Sequence, residues 1–278
     1  MASVPALDLR FAPAADTAQL QDLLYAELDA FEPLAIHDHD TADGWRVFFR
    51  LASNRDAAIA ALGASLAGRL LTVVAVDVDD EDWARRSQAA LTAIEVGRIT
   101  VAPPWDVPDA RRDIVIVIDP SMGFGTGHHA TTRLCLTLLQ EIGVRGARVI
   151  DVGTGSGVLA IAAWRLGASS VTAMDNDPDA LQNARENVSR NGAADAIEIV
   201  EKDLSSVSTA PADVVLANLT GAVLCRYARE LRALTAPAGT LIVSGFSPEE
   251  IDDVSGAFGA RPRATRQDGE WAAAVFGV

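Results

Sequence analysis

From residue 96 onwards, the chain alternates short apolar runs with longer segments in which apolar residues recur at helical spacing. The short runs are rich in β-branched residues, which is typical of buried parallel strands. The predicted strands cover residues 96–102, 114–118, 149–152, 171–174, 197–200, 213–217, 240–244 and 271–276. The predicted helices cover residues 134–142, 156–164, 178–191, 222–234 and 248–258. This alternation predicts an α/β domain with a doubly wound parallel sheet and helices on both faces.

The first hundred residues follow a different pattern, which predicts a separate and smaller unit. Its predicted elements are helices at residues 16–31 and 54–66, strands at residues 45–51 and 70–78, and a linking helix at residues 83–94. Helices and strands in this order predict a small α+β domain in residues 1–95, followed by the larger domain in residues 96–278. The small domain contains no catalytic set of residues. It is interpreted as a module that recognises the substrate, with an inert structural cap as the alternative.

The most informative motif is a glycine-rich turn between a predicted strand and a predicted helix. It contains Gly153, Gly155 and Gly157, in a pattern that begins at Asp151. A strand followed by glycines and a helix start lets the backbone approach a cofactor closely. The dinucleotide-binding pattern needs its third glycine at position 158, and this chain has Val158 there.

A carboxylate, Asp175, stands at the end of the next predicted strand. A carboxylate in that place can accept hydrogen bonds from both hydroxyls of a ribose. We therefore expect a nucleoside ligand rather than a dinucleotide, and the alternative is a turn that only connects a strand to a helix. Ligands of such sheets bind beyond the carboxyl ends of the strands, so Gly153, Asp175, Asp203 and Asn218 are expected to share one site.

A second glycine-rich segment lies at residues 119–132, before the glycine turn. Three glycines within five residues make a loop that other groups can approach closely. This loop either folds over a bound ligand or simply connects two elements, and its spacing does not decide between the two hypotheses.

Four motifs together resemble the bacterial PrmA family. They are Phe124-Gly125-Thr126-Gly127-x-His129-x-Thr131-Thr132, the glycine turn, Asp175-Asn176-Asp177-Pro178 and Asn218-Leu219. The resemblance covers the whole chain, and two glycine-rich segments in combination are more specific than one. Members of that family are S-adenosylmethionine-dependent methyltransferases of the Rossmann-like class. They methylate amino groups of the large-subunit ribosomal protein numbered eleven, so the resemblance implies this activity and this partner, either free or on the ribosome.

The resemblance also implies the roles of individual residues. The implied cofactor-binding residues are Thr126, Thr132, Gly153, Gly155, Asp175 and Asn218. Asn218 is in addition the implied catalytic residue, because its amide oxygen would orient the acceptor amine; the alternative is a cap at the end of a strand. The departures from the family pattern are His128, Ala130 and Thr220-Gly221. They favour one alternative, a methyltransferase for another protein or a small amine. A second alternative is a non-catalytic cofactor-binding domain, against which the intact Gly153, Gly155, Asp175 and Asn218 argue.

Charge narrows the class of partner. The formal net charge is −15 and the sequence pI is about 4.6. An acidic chain repels phosphate backbones, so direct nucleic-acid binding is not expected and a basic protein is a more suitable partner. The segment His37-Asp38-His39-Asp40 lacks the spacing of a metal site and is interpreted as a solvated acidic loop.

Cysteine content indicates the compartment. The two cysteines, Cys135 and Cys225, lie in apolar stretches of predicted helices, where a disulfide is not expected. The sequence contains no signal-peptide pattern and no apolar run long enough to span a bilayer. We therefore expect a cytoplasmic protein, and the sequence does not indicate its oligomeric state.

Overall fold

The computed structural model describes residues 3–11, 24, 28, 31, 33–38, 44–65, 70–79, 91–108, 114–119, 129–206 and 209–278. The chain packs into two units, Met1–Ala90 and Leu91–Val278. The predicted boundary between the domains lies after residue 95, because the predicted linking helix continues to Ile94. Most of that linking helix lies outside the described residues. At its predicted end the structure differs, since residues 91–93 are not helical and Ile94 begins a strand.

The smaller unit is built on a four-stranded antiparallel sheet. Its strands are β1 (Ser3–Phe11), β2 (Pro33–Asp38), β3 (Gly44–Phe49) and β4 (Leu70–Asp79), and helix α1 spans Ala52–Ser65. The strands lie in the order β2-β3-β1-β4. Alternate side chains of β1 and β3 form the core with helical residues Leu24, Leu28 and Leu62. Helix α1 and strands β3 and β4 confirm three predicted elements.

Two strands of this unit were missing from the sequence prediction. Strand β1 carries its apolar residues on both faces, so a simple alternation is hard to recognise. Strand β2 contains Pro33, His37 and Asp38, which sequence rules associate with loops and surfaces. The interpretation of residues 37 and 38 as loop is therefore wrong, because they pair with Arg46 and Trp45 of β3. Residues 39 and 40 lie outside the described residues.

The larger unit contains two sheets. One has seven strands, β8 (Arg148–Val152), β9 (Ser170–Asp175), β10 (Ile197–Glu201), β11 (Ala212–Asn218), β12 (Thr235–Phe246), β13 (Ala264–Asp268) and β14 (Trp271–Gly277). The other has three, β5 (Ile94–Val96), β6 (Ile99–Ala102) and β7 (Ile114–Val117). The seven strands lie in the order β10-β9-β8-β11-β12-β14-β13. Strands β8 to β12 are parallel, whereas β14 is antiparallel to β12 and β13.

Helices cover both faces of the seven-stranded sheet. They are α2 (Ala130–Ile142), α3 (Val158–Arg165), α4 (Pro178–Arg190), α5 (Gly221–Arg226), α6 (Ala228–Leu234) and α7 (Ile251–Phe258). Helices α2, α3 and α4 contribute to one hydrophobic core, and α5, α6 and α7 to the other. Successive strand residues alternate between these cores, with Val214 facing the first and Val215 the second. The predicted doubly wound α/β sheet is confirmed.

Four local predictions need correction. The strand expected at residues 96–102 is divided between β5 and β6 by a turn at Gly97, where φ is +59°. The helix expected at residues 222–234 is divided at Tyr227, whose φ of −109° is not helical. Helix α3 begins at Val158 rather than at Ser156. Strand β13 was not predicted, because its alternating charged residues have no apolar face.

Buried asparagines of α4 join the two sheets. Asn191 accepts a hydrogen bond from the Val117 amide at 2.9 Å and donates to the Val117 carbonyl at 2.7 Å. Asn187, which is fully buried, accepts from the Asp119 amide at 2.8 Å and donates to the Ser156 carbonyl at 3.0 Å. The two side chains thus satisfy backbone groups at the end of β7, which is the last strand of the three-stranded sheet among the described residues.

We expect Asn187→Ala to lower the free energy of unfolding by about 2–4 kcal/mol, because it leaves two buried backbone groups without these partners. Urea unfolding of the full chain would measure the change. Gln182→Ala, on the exposed face of the same helix, is the control and should cost less than about 0.5 kcal/mol. Equal unfolding midpoints for the two variants would contradict the assigned role of Asn187.

Candidate active site

The glycine turn begins where β8 ends and is held by backbone hydrogen bonds. The φ values of Gly153, Gly155 and Gly157 are +67°, +53° and +81°, in the left-handed region that favours glycine. The amides of Gly153 and Thr154 donate to the Met174 carbonyl at 2.9 and 3.0 Å. The Gly157 amide donates to the Thr154 carbonyl at 2.9 Å. Because these amides are used within the protein, the turn differs from an anion-binding nest, whose amides point at a ligand.

Asp175 ends strand β9 and lies against this turn. One carboxylate oxygen accepts from the Gly155 amide at 3.0 Å, and the other accepts from the amides of Asn176 and Asp177 at 2.9 and 3.1 Å. The residue is partly exposed. Each carboxylate oxygen has two lone pairs, and three of these four sites are used within the protein, so the side chain can accept one further hydrogen bond from a ligand.

Asn218 ends strand β11, which is the neighbour of β8 on the other side. In the register of the parallel strands, Asn218 pairs with Ser244 of β12. The next residue, Leu219, donates its amide to the Ser244 carbonyl at 2.9 Å. A Cβ atom added to Gly153 would lie 2.5 Å from Leu219 Cδ2, so the Leu219 side chain lies directly against the glycine turn.

The remaining predicted site residues have different environments. Asp203 follows β10 at the same edge of the sheet. Hydrogen bonds from the Ser205 hydroxyl, and then from the Ser205 amide at 2.7 Å, lower the pKa of Asp203. Thr132 lies in the first turn of α2 and is 1% exposed. Thr126 and the loop around it lie outside the described residues. Gly153, Asp175, Asp203 and Asn218 therefore all lie at the carboxyl edge of the sheet, at or just after strand ends.

Two residues at this edge were not predicted as site residues, and one of them is Trp271. It starts β14, which runs antiparallel to β12, so its position coincides with the carboxyl ends of the parallel strands. The His129 ring packs edge-on against the indole, with 4.8 Å between ring centroids. The direction of β14 decides at which edge of the sheet Trp271 lies. The sequence pattern predicted the strand but not its antiparallel direction, so the position of Trp271 was not predicted.

His129 is the N-cap of helix α2. Its Nδ1 accepts a hydrogen bond from the Thr131 amide and lies 2.8 Å from the Thr131 hydroxyl. Burial, followed by the nearby Arg133 guanidinium, lowers the pKa of His129, so its imidazole is neutral at neutral pH. These contacts make His129 a helix-capping residue.

The second unpredicted residue is Asp151, which opens the glycine pattern. It is 1% exposed, and one oxygen accepts from the Thr154 hydroxyl at 2.7 Å and from the Ala160 amide at 3.2 Å. Burial raises the pKa of Asp151 to about 6, against the lowering effect of these two hydrogen bonds. Asp151 thus links strand β8, the turn and the first turn of α3 from beneath the site.

A surface hollow of about 530 Å³ opens beside Trp271. Its lining includes three carboxylates and consists of Ser247, Pro248, Glu249, Glu250, Gln267, Gly269, Glu270 and Trp271. Among the described residues there is no group of three side chains suited to hold a metal ion. The helices formed by the described residues are too short or too polar to cross a membrane. Cys135 and Cys225 are both free thiols, the first buried and the second partly exposed.

A doubly wound sheet with a glycine turn, an acidic end of the next strand and an asparagine at the adjacent strand end defines a Rossmann-like methyltransferase domain. The family model of "Ribosomal protein L11 methyltransferase (PrmA)" matches residues 16–277. The chain therefore belongs to the ribosomal protein L11 methyltransferase family. This confirms the resemblance drawn from the sequence motifs, and the predicted enzyme class is the class of that family.

Individual relatives agree with this assignment. The chain is 42% identical over 205 residues to a ribosomal protein L11 methyltransferase of Heliobacterium modesticaldum, a match that covers 72% of this chain and 65% of the relative. It is 39% identical over 263 residues to one of Geobacter sulfurreducens, covering 90% and 86% of the two chains. The crystal structure of a ribosomal protein L11 methylase from Lactobacillus delbrueckii subsp. bulgaricus superposes with a TM-score of 0.61 at 28% identity, covering 67% of this chain and 98% of that one.

The residues at the turn fit the cofactor that this family implies, S-adenosylmethionine. The partly exposed Asp175 carboxylate, which accepts a hydrogen bond from the Gly155 amide, stands beside the turn, and the Leu219 side chain occupies the space beside Gly153. The bonded amides of the turn are compatible with a nucleoside, which carries no phosphate for them to bind.

We expect Asp151→Asn to change how stability depends on pH. The pKa of Asp151 is about 6 in the folded chain and near 3.8 when unfolded. Protonation therefore favours the folded state, and this contribution is fully present below pH 3.8 and lost as the pH rises through 6. The free energy of unfolding of the wild type should fall relative to that of the variant by up to about 3 kcal/mol over this range.

Urea unfolding of both proteins at several pH values would measure this difference. Thr154→Val removes the hydroxyl that donates to Asp151. It should raise the pKa of Asp151 further and move the loss of stability to higher pH. A difference between wild type and Asp151→Asn that does not change with pH would contradict the prediction.

Proposed function

We propose that this chain transfers methyl groups from S-adenosylmethionine to amino groups of ribosomal protein L11, on lysine side chains, the N-terminal amine or both. The observation that carries the proposal is the arrangement of three adjacent strand ends. The strands β9, β8 and β11 are neighbours in that order. Asp175 ends β9, Gly153 directly follows β8, and Asn218 ends β11. In this arrangement the Asp175 carboxylate would bind a ribose, the glycine turn would lie against the cofactor, and the Asn218 amide would bind the acceptor.

In this proposal, the cofactor supplies an electrophilic methyl group on a positively charged sulfur. Asp175 accepts a hydrogen bond from a ribose hydroxyl, and the glycine turn beside it lies against the cofactor. Thr132 and Thr126 complete its binding. Methyl transfer is an in-line displacement, so positioning of the two reactants and exclusion of water provide most of the rate enhancement.

The acceptor amine must lose a proton before it can attack the methyl group. A lysine amine has a pKa near 10.4, so deprotonation at pH 7 costs about 4.6 kcal/mol. Desolvation lowers this cost because it disfavours the ammonium ion. Leu219 and Trp271 are apolar groups at the strand ends, and His129 beside Trp271 is neutral. The proton passes to solvent as the amine enters this environment.

Asn218 orients the deprotonated amine in this proposal. Its amide oxygen accepts a hydrogen bond from the amine N–H, which directs the nitrogen lone pair towards the methyl group. An amide suits this role better than a carboxylate, because a negative charge would stabilise the ammonium form.

Charge supports a basic protein as the partner. The net charge of −15 attracts a basic substrate at long range. The carboxylates of Glu249, Glu250 and Glu270 in the hollow beside Trp271 add a local attraction for lysine side chains. The same charge disfavours direct contact with ribosomal RNA. Two thiols without a disulfide suit a reducing cytoplasm, where ribosomal proteins occur.

Mass spectrometry of unmethylated recombinant L11, incubated with the chain and S-adenosylmethionine, tests the proposal. L11 should gain mass in methyl increments, and fragmentation should locate them on amino groups. No gain, together with intact cofactor binding by calorimetry, would favour a different protein or a small amine as the acceptor. Failure to bind the cofactor would exclude both enzymatic functions and favour the non-catalytic alternative.

Two substitutions should separate cofactor binding from methyl transfer. Asp175→Ala should weaken cofactor binding roughly 10- to 100-fold, because a charge-assisted hydrogen bond is lost. Asn218→Ala should instead lower turnover on the order of 100-fold, with a much smaller effect on stability. Calorimetry, steady-state kinetics and thermal unfolding measure the three effects.

Asp195→Ala is the control for Asp175→Ala, since it removes an exposed carboxylate from a turn at the opposite edge of the sheet. It should leave cofactor affinity unchanged. Wild-type turnover in Asn218→Ala would exclude the role proposed for Asn218.

A further inference from the structure

Strand β12 contains a bulge at the carboxyl edge of the sheet. Ser244 pairs with Ala273 of β14 and Phe246 pairs with Ala272, so Gly245 between them is the extra residue. The φ of Gly245 is +99°, in the region that favours glycine. The bulge lies beside Asn218, because Ser244 is the partner of Asn218 in the register of β11 and β12.

The backbone of Leu219 packs directly against this bulge. A Cβ atom added to Gly245 would be 2.3 Å from the Leu219 carbonyl oxygen, 2.7 Å from its carbonyl carbon and 3.2 Å from its nitrogen. The Leu219 amide donates to the Ser244 carbonyl at 2.9 Å. All the colliding atoms are backbone atoms, so no side-chain rotation relieves the contact. A side chain at position 245 must displace the peptide that follows Asn218.

Leu219 also contacts the cofactor turn on its other side. Its Cδ2 atom lies 2.5 Å from the position that a Cβ of Gly153 would occupy. Leu219 is therefore held between two glycines, with its backbone against Gly245 and its side chain against Gly153. The contact at Gly245 is the more rigid of the two, because it is made by backbone atoms, whereas the contact at Gly153 is made by the end of the Leu219 side chain.

We propose that Gly245 is a positioning residue for methyl transfer, because its missing side chain seats the Leu219 peptide and thereby sets the place of Asn218 relative to the glycine turn. This inference rests on the proposed function of Asn218. It does not involve contact between Gly245 and either substrate. Displacement of the acceptor-binding residue lowers the rate of the transfer step more than it lowers cofactor affinity.

Gly245→Ala tests the inference, with Gly167→Ala as the matched control. Gly167 has a φ of +95°, and a Cβ added there would come no closer than 3.7 Å to its neighbours. It precedes β9, at the opposite edge of the sheet from the site. Both alanines therefore have a strained backbone, but only the one at position 245 collides with another peptide.

Gly245→Ala should lower kcat for L11 at least roughly tenfold while the cofactor Kd and the KM for L11 change less than about threefold. Native-state hydrogen exchange of the Leu219 amide should become faster, since its bond to Ser244 is disturbed. Gly167→Ala should change neither kcat nor this exchange rate. A purely structural role would lower the melting temperature of both variants without this selective loss of kcat.

Leu219→Ala provides a second variant if Gly245→Ala does not fold. It keeps the backbone and removes only the side chain that reaches Gly153, and it should also lower kcat with the cofactor Kd retained. Wild-type kcat in both variants, with L11 methylated normally by the wild type, would overturn the inference alone. A wild-type protein that does not methylate L11 would overturn the proposed function, and the inference with it.

Discussion

The close approach of backbone segments at the carboxyl edge of the seven-stranded sheet is the constraint on which the site depends. Gly153 and Gly245 both lie where a side chain would collide with Leu219. Both positions have a positive φ, which favours glycine, and at Gly245 a Cβ atom would in addition collide with backbone atoms that no side-chain rotation can move. The strand order then brings Asp175 and Asn218 to either side of the turn.

The turn is rich in glycine, whose backbone can adopt many conformations, but side chains from three different elements hold it in one of them. Asp151 bonds to it from strand β8, Asp175 from strand β9 and Asn187 from helix α4. Two of these side chains, Asp151 and Asn187, are buried, and a buried polar group is costly unless it is paired. Their pairing fixes the turn before a ligand arrives, so binding does not have to order it.

The parallel part of the sheet and most of the site were predictable from sequence, because each depends on local patterns. Apolar strands alternating with amphipathic helices identify a doubly wound sheet, and the residues that follow such strands must meet at one edge. Gly153, Asp175 and Asn218 were found in this way. Asp177, the N-cap of the next helix, accepts a hydrogen bond from the Asp179 amide at 2.9 Å, which is a local capping pattern of the same kind.

The rest depends on pairing between distant segments, which local patterns do not encode. Strands β1 and β13 were missed because their apolar residues do not alternate or are too few, so only their partners make them strands. Trp271 was missed because its place follows from the antiparallel direction of β14. The burial of Asp151 and Asn187 was missed for a similar reason, since an acidic residue or an asparagine within a pattern is normally assigned to the surface.

The distribution of charge around the site is consistent with the chemistry of an amine acceptor. A carboxylate close to the attacking nitrogen would raise the pKa of the amine and oppose its deprotonation. At the strand ends, Asn218, Leu219 and Trp271 are uncharged, and the lowered pKa of His129 keeps its ring neutral. The exposed carboxylates of Glu249 and Glu270 line the neighbouring hollow instead. Attraction of a basic substrate and activation of its amine place opposite demands on charge, and this division between hollow and strand ends allows both.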